Sequence, residues 1–270
     1  MRQYLWRRRI LVPLIAVAGF AGVSFGQAAA SSIAAPAVAV RIGTSLENRP
    51  LDVMCVGTGT QTVLIVGGVH TGPEVITSVL AQEIAVAMQA GDLSLPATVR
   101  LCVLPTLNLD GLALDQRTNA NRVDLNRNWP DADWKATAFH SGPVGAGAQP
   151  LSEPETRALH EYILHERPDV VLMLHCCGDL VEANEVPGAS HLATVYAAGA
   201  SLAYIEEWKA YPITGQFIDS MEQHGIPAMD IEMHSQSNTG YAAHRAGLVA
   251  LTYYLATNPP DLRGAPSTLR

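Results

Sequence analysis

The sequence predicts a single α/β domain whose core is a mixed, mostly parallel twisted sheet with helices on both faces. Short apolar runs of strand-like composition alternate with helical patterns, an order typical of parallel strands covered by helices. No long linker interrupts this alternation. The chain has 270 residues, of which 48% are hydrophobic, and that is enough for one large buried core.

The first thirty residues are expected to lie outside this domain. A basic segment, "MRQYLWRRR", precedes an apolar one, "ILVPLIAVAGFAGVSFG", and small residues suited to cleavage follow. The apolar segment contains proline and glycine and is barely long enough to span a bilayer, which favours cleavage over an uncleaved anchor. We expect a signal peptide, a linker, a folded domain and a tail at residues 1–30, 31–45, 46–258 and 259–270.

This leader predicts export to the periplasm or the medium, with no stable membrane association after cleavage. Its removal takes four of the 17 basic residues and none of the 25 acidic ones, so the mature net charge is −12. A protein that binds nucleic acid needs basic patches to replace condensed counterions. We therefore expect no nucleic-acid partner.

The elements of the domain can be placed in order along the chain. The runs "LDVMCVG", "TVLIVGGV" and "TVRLCVLPTLN" predict strands, and "PEVITSVLAQEIAVAMQAG" predicts a helix that begins at proline and ends at glycine. A long polar loop, residues 109–150, comes next, and such loops tend to be functional.

The second half of the domain continues the alternation. A helix is predicted at "LSEPETRALHEYILHER", with Ser152 as N-cap and Glu155 completing a capping box. It is followed by a strand, "PDVVLMLHCC", a shorter strand, "AMDIEMH", and a final helix, "AAHRAGLVALTYYLAT".

Four cysteines in an exported chain could form disulfides. Cys55 and Cys102 lie in two predicted strands and could bridge if those strands are neighbours. Cys176 and Cys177 are adjacent in sequence and are expected to be poor partners for each other, and we place neither in the functional site.

Two histidines stand where apolar strands end. His70 follows "TVLIVGGV" and His175 ends "PDVVLML", at the edge where α/β proteins place ligand sites. Together with an acid they would give the three protein ligands and open position of catalytic zinc. A lone histidine there is more often structural, but the pair favours a site. The segment "HEYILH", His160 to His165, is one residue too long for the helical zinc motif.

The loop and its flanks resemble a known family. "LNLDG", "RTNAN", "VDLNRNW" and "SEPET" are similar to the zinc carboxypeptidases of the carboxypeptidase A type, and most of all to a compact bacterial branch that includes the murein peptide amidases. The similarity runs from Thr62 to His175 and resumes from Tyr211 to Glu232. It implies a zinc carboxypeptidase-like fold for the predicted domain.

The resemblance implies one zinc ion held by His70, Glu74 and His175. Asp124 would orient one ligand imidazole. The family usually has two residues between the first histidine and the glutamate, and here there are three. The usual spacing would place Pro73 at the ligand position, and proline cannot ligate, so Glu74 is the nearby carboxylate that remains.

The resemblance also implies how substrate is bound and cleaved. Asn126 and Arg127 would clamp the terminal carboxylate of a peptide, and Arg117 would stabilise the oxyanion. Glu232 would be the general base, and Tyr211 a mobile residue over the substrate. Ile218, if it lines the pocket, would favour neutral or apolar side chains in the residue released.

The resemblance implies that the protein is a zinc metallocarboxypeptidase that acts on a peptide. A cell-wall peptide cleaved at the γ-D-glutamyl–diaminopimelate bond, as by murein peptide amidases, is the substrate the resemblance and the leader favour. Three alternatives stay open: an ordinary carboxypeptidase acting on L-peptides, a zinc deacylase of N-acyl amino acids, and an inactive wall-binding protein that keeps the fold.

Overall fold

The computed structural model describes residues 37–258, so the predicted signal peptide and tail lie outside the described residues. The strands are β1 (Val38–Thr44), β2 (Pro50–Val56), β3 (Gln61–Val66), β4 (Val99–Leu104), β5 (Thr137–Phe139), β6 (Pro143–Gly145), β7 (Val170–Cys176), β8 (Leu180–Ala183), β9 (Ala203–Ile205) and β10 (Ala228–Met233). The α-helices are α1 (Ile76–Ala90), α2 (Leu109–Leu114), α3 (Pro154–Glu166), α4 (Ala189–Ala200), α5 (Phe217–Glu222) and α6 (Tyr241–Thr257).

Eight of these strands form one mixed sheet, in the order β1-β2-β4-β3-β7-β10-β8-β9. Its four central strands, β4, β3, β7 and β10, run parallel to their neighbours within that set. β2 and β8 join the two sides of this set in the antiparallel direction. The predicted mixed, mostly parallel sheet is confirmed for the central strands, whose carboxyl ends all meet at one edge.

The two faces of the sheet are covered by different elements. One face packs against α1, α4 and α6, through buried side chains such as Leu80, Leu192 and Leu251. The other packs against α3 and α5, through buried side chains such as Leu159 and Phe217. We call the first the three-helix face and the second the cleft face. Because side chains alternate along a strand, each buried central strand contributes to both.

Two elements differ from the sequence-based predictions. Val38–Thr44, assigned to the linker, form the edge strand β1 and pair with β2, so the linker interpretation is wrong for these residues. The capping box is also wrong. Helix α3 begins at Pro154 with Glu153 as its N-cap, and the hydroxyl of Ser152 donates to Glu153 instead. The rigid geometry of proline fixes this start.

The polar loop between β4 and α3 has structure of its own. It contains α2, a short 3-10 helix at Leu125–Arg127, and the hairpin formed by β5 and β6. Elsewhere, the final helix and the strands around both histidines lie where the apolar patterns predict them. No helix within residues 37–258 combines the length and the apolarity needed to cross a membrane.

Both cysteine pairs are disulfide-bonded. Cys55 and Cys102 lie directly opposite each other on β2 and β4 and are bridged, as their strand positions allowed. Cys176 and Cys177 are also bridged, so the expectation that they are poor partners is wrong. The peptide bond between them is cis, and their Cα atoms are 3.0 Å apart.

Candidate metal and substrate site

Two adjacent parallel strands bring the two histidines together. β3 and β7 are neighbours in the sheet, His175 lies near the end of β7, and His70 follows β3 after a tight turn. The turn requires Gly68, whose φ of +57° is a left-handed conformation that glycine adopts without steric penalty. The ring centroids of His70 and His175 are consequently 5.0 Å apart.

Glu74 completes a buried three-residue cluster. It lies in a 3-10 helix, Gly72–Glu74, whose first turn contains Pro73, and this helix directs the carboxylate back to the histidines. Glu74 Oε2 is 3.2 Å from His70 Nδ1 and 3.8 Å from His175 Nδ1. The longer spacing between His70 and Glu74 therefore still places the carboxylate beside both imidazoles.

The cluster suits a metal ion in its donor set and its charge. The three ligand atoms lie within 4.8 Å of one another, and all three residues are buried. Two imidazoles and one carboxylate are the ligands of many catalytic zinc sites. Burial alone would lower the pKa of His175, but Asp230 and Glu74 raise it to about 10, so the surroundings favour a positive charge here.

Asp124 connects the cluster to the polar loop. Its Oδ1 is 2.8 Å from His70 Nε2, which leaves Nδ1 of that ring facing Glu74, and its side chain is fully buried. Burial would raise the pKa of Asp124, but His70 and Arg117 hold it well below its usual range. A carboxylate on the far nitrogen of a ligand histidine is the arrangement that orients metal-binding imidazoles.

Arg117 lies against the same groups. Its Nε donates to Asp124 Oδ2 at 3.1 Å, its Nη1 donates to Glu74 Oε1, and its Nη2 is 2.9 Å from His70 Nε2. The guanidinium also lines the cleft beside the cluster. The predicted oxyanion residue is thus next to the three candidate ligands, held by two carboxylates.

Asn126 and Arg127 follow Asp124 in the short 3-10 helix. Asn126 Nδ2 is 3.3 Å from His175 Nε2, and its side-chain Oδ1 accepts from the backbone N–H of Phe217. Arg127 is 1% exposed and donates three hydrogen bonds, two to the carbonyl of Phe139 and one to that of Asn126. Among the described residues, two of its five N–H groups remain free for a ligand.

Glu232 and Tyr211 lie in the same cleft. Glu232 is paired with His175 across β7 and β10, and burial raises the pKa of its carboxyl, as do the carboxylates of Glu74 and Asp230. The Tyr211 ring packs edge-on against Phe139 and Trp208. All nine predicted site residues are thus close together, and eight of them line one cleft with a volume of about 240 Å³, while Asp124 lies buried behind it.

Cys176 and Cys177, at the end of β7, also line the cleft, so leaving both cysteines out of the site was wrong. The cleft further contains residues that the sequence did not single out, among them His140 in the β5–β6 hairpin, Leu180, Glu182, Trp208 and Asp230. The alternation of "AMDIEMH" could have indicated Asp230, since it is two positions before Glu232. Glu182 could not be found in this way because its segment has no recognisable motif.

Ile218 does not line the cleft, which corrects the expectation that it shapes the substrate pocket. It is 2% exposed and packs in the core of the cleft face as part of α5. The amphipathic pattern of this short helix turns Ile218 inward. The helical pair His160 and His165 behaves as expected: His160 packs against Trp129, and the side chain of His165 is 83% exposed.

Comparison with known proteins agrees with this geometry. Murein peptide amidase A of Escherichia coli strain K12 is 39% identical over 90 residues, which cover 30% of this chain and 37% of the relative. Rat carboxypeptidase A2 is 30% identical over 168 residues, covering 53% of this chain and 40% of the relative. The chain thus matches less than half the length of each of these two curated relatives.

Solved structures have the same fold. Murein-tripeptide amidase MpaA from Escherichia coli O157 superimposes with a TM-score of 0.62 and 25% identity, covering 78% of this chain and 91% of that one. Bovine thrombin-activatable fibrinolysis inhibitor gives a TM-score of 0.69 at 16% identity, covering 83% and 91%. The family profile described as zinc carboxypeptidase matches residues 33–257. The chain therefore belongs to the zinc carboxypeptidase family.

Proposed function

We propose that this protein is an exported zinc-dependent metallopeptidase that releases a C-terminal residue from a peptide. The cluster of His70, Glu74 and His175, the buried carboxyl of Glu232 and the guanidinium of Arg127 all face one small cleft. This combination supplies a metal site, a proton acceptor and a carboxylate-binding group within reach of one substrate.

Zinc held by His70, Glu74 and His175 would polarise the scissile carbonyl and lower the pKa of a water molecule towards neutrality. Glu232 takes the proton from the attacking water and delivers it to the leaving amine. Its raised pKa suits both tasks, because a carboxyl that titrates nearer neutrality accepts and returns a proton more readily. Arg117 donates to the oxyanion that develops on the carbonyl oxygen.

The preference for a terminal residue follows from Arg127. Its two free N–H groups match the two oxygens of a carboxylate, and backbone carbonyls fix the orientation of the guanidinium. A peptide held by its terminal carboxylate would present its last amide to the metal cluster. Tyr211, whose ring packs against Phe139, covers the bound residue.

The substrate we favour is a cell-wall peptide, cleaved at the γ-D-glutamyl–diaminopimelate bond. The support is the similarity to murein peptide amidases, together with the export predicted from the first thirty residues. An ordinary carboxypeptidase acting on L-peptides would use the same groups. So would a deacylase of N-acyl amino acids, which would turn over acylated amino acids without cleaving peptides.

An inactive wall-binding protein is less well supported than these enzymes. The unusual spacing of His70 and Glu74 was the feature that favoured it. The two side chains are nevertheless 3.2 Å apart at their nearest polar atoms, and Glu232 faces the same cleft.

The test is a product analysis with the zinc-loaded protein, with and without a chelator. The substrates are L-alanyl-γ-D-glutamyl-diaminopimelate, a set of L-peptides and a set of N-acyl amino acids. We expect release of diaminopimelate that the chelator abolishes and added zinc restores. Release from L-peptides alone would make the protein an ordinary carboxypeptidase, and turnover of acyl amino acids alone a deacylase. No release from any substrate would contradict the proposed enzyme.

A further inference from the structure

One wall of the cleft carries two acids that the proposed mechanism does not use. β8 and β10 are antiparallel neighbours, with Glu182 opposite Asp230 and Leu180 opposite Glu232. Residues opposite each other or two apart on paired strands share a face of the sheet, so these four side chains form one patch. All four line the cleft.

Neither acid has a lysine or arginine as its partner within residues 37–258, and Asp230 is paired only with His175 of the metal cluster. Asp230 is 8% exposed, and its Oδ1 has no hydrogen-bond partner among the described residues. His175 Nε2 is 3.6 Å from that oxygen, within ion-pair distance but too far for a hydrogen bond. Glu182 accepts only from the backbone N–H of Trp208, at 2.8 Å.

This arrangement is unfavourable in the absence of a ligand. Burial raises the pKa of Glu182 to about 7, and the negative charge of Asp230 adds to the shift. Like charges directly opposite on adjacent strands destabilise a sheet, and burial removes carboxylates from the water that stabilises their charge. A cation bound between the two carboxylates would remove both penalties.

The same cleft also holds the opposite charge, because Arg117 and Arg127 line it. A ligand that satisfies both sets of residues carries a carboxylate and a cationic group. The rings of Trp208 and Tyr211 also line the cleft, with centroids 5.3 Å apart, and aromatic faces attract ammonium groups.

We propose that Glu182 and Asp230 form a specificity subsite for an ammonium group on the side chain of the residue released. The inference rests on the proposed function and deepens it. With its terminal carboxylate on Arg127, the released residue directs its side chain towards β8, where the two acids bind its charge. Residues such as lysine and diaminopimelate meet this requirement, whereas neutral residues of the same length do not. The preference for neutral residues expected from Ile218 is thereby reversed.

The test compares substrates that differ only in this ammonium group. Two series are prepared, one of L-peptides and one of L-alanyl-γ-D-glutamyl peptides, each ending in lysine or norleucine. The second series also includes diaminopimelate. At pH 8, where Glu182 is ionised, we expect kcat/KM to be at least about tenfold higher for the ammonium-bearing residue of a series, as for a charge-assisted hydrogen bond. The two series show whether lysine or diaminopimelate supplies the ammonium group.

The variants Glu182→Gln and Asp230→Asn should remove most of this preference. The ratio of kcat/KM values is the deciding quantity, because damage to folding or to the metal cluster would lower turnover of both substrates equally. Glu206→Gln, which neutralises an exposed acid on the loop before Trp208, is the matched control and should keep the wild-type ratio.

Binding separates this inference from the proposed function. Calorimetry with Glu232→Gln measures the affinity for the same peptides without turnover. Tighter binding of lysine or diaminopimelate peptides, with no hydrolysis by the wild type, would contradict the proposed function and support the subsite. Hydrolysis of lysine and norleucine peptides at equal rates, or equal affinity for both, would overturn the subsite and leave the function standing.

Discussion

Neighbouring residues on β10 face two environments that differ in almost every physical respect. Ile231 points to the three-helix face, is fully buried and packs only among apolar side chains. Glu232 points to the cleft face, beside ligand-type residues and other acids. At Ile231 the strand removes apolar surface from water, and at Glu232 it holds a charged group in a fixed arrangement. These two adjacent positions thus separate packing from chemistry.

Among substitutions at these two positions, the largest expected effect is on turnover and comes from Glu232. Glu232→Gln should lower kcat roughly 10³-fold, because general acid–base catalysis is lost while the shape of the cleft is kept. The melting temperature and the zinc content should change little. Turnover is measured with the preferred peptide, and zinc by atomic absorption. Glu161→Gln, at an exposed site on α3, is the control. A fully active Glu232→Gln would show that another group is the base.

The next effect is on stability and comes from the adjacent residue. Ile231→Ala should lower the free energy of unfolding by about 3 kcal/mol, because it leaves a cavity among the helices of the three-helix face. Denaturant titration measures this loss. At a temperature where the variant is folded, its kcat should stay within about twofold of the wild-type value. The cavity lies on the three-helix face, on the other side of the sheet from the cleft. A large fall in kcat would mean that the two faces are coupled.

The smallest expected effect is a dependence of stability on pH from the three-helix face. His244 on α6 is buried, bonds Tyr196 of α4 at 2.8 Å, and burial lowers its pKa to about 4. In the unfolded chain His244 takes up a proton near pH 6.5, whereas in the folded protein it stays neutral until about pH 4. Its contribution to the free energy of unfolding is therefore complete above pH 6.5 and is lost as the pH falls towards 4. At pH 5 the loss is about 2 kcal/mol relative to pH 8.

The comparison with His244→Gln isolates that contribution. Its free energy of unfolding should fall less steeply than that of the wild type between pH 6.5 and 4. His191→Gln, at an exposed position on α4, should follow the wild type. Equal slopes for wild type and His244→Gln would show that burial does not lower the pKa of His244 in the folded protein.

The sequence predicts the central sheet and the three-helix face well. Buried parallel strands are continuous apolar runs, and the amphipathic pattern of α6 extends over 17 residues. The candidate ligands could also be named, because His70 and His175 end such runs and the motifs of the polar loop resemble a family. Strand β1 was missed because it is an exposed edge strand preceded by an alanine-rich segment, with little apolar periodicity.

Features that depend on tertiary contacts or on an unusual local backbone conformation could not be predicted. Glu182 gains its significance from the antiparallel pairing of β8 with β10, and a single sequence does not specify that pairing. Ile218 was misplaced because the resemblance gave its position along the chain but not the direction of its side chain. The bridge between Cys176 and Cys177 depends on a local backbone conformation that residue types alone do not indicate.

Asp124 has a wider consequence for how such a site can change. Its two oxygens bind His70, Arg117 and the backbone N–H of Asn126, and its side chain has no exposure to solvent. In the proposed mechanism, one carboxylate thus connects metal affinity, oxyanion binding and the carboxylate clamp. Their free energies are coupled, so substitutions among these residues will not be additive. Redesign of the enzyme for a different C-terminal residue should therefore begin at β8 and leave Asp124 unchanged.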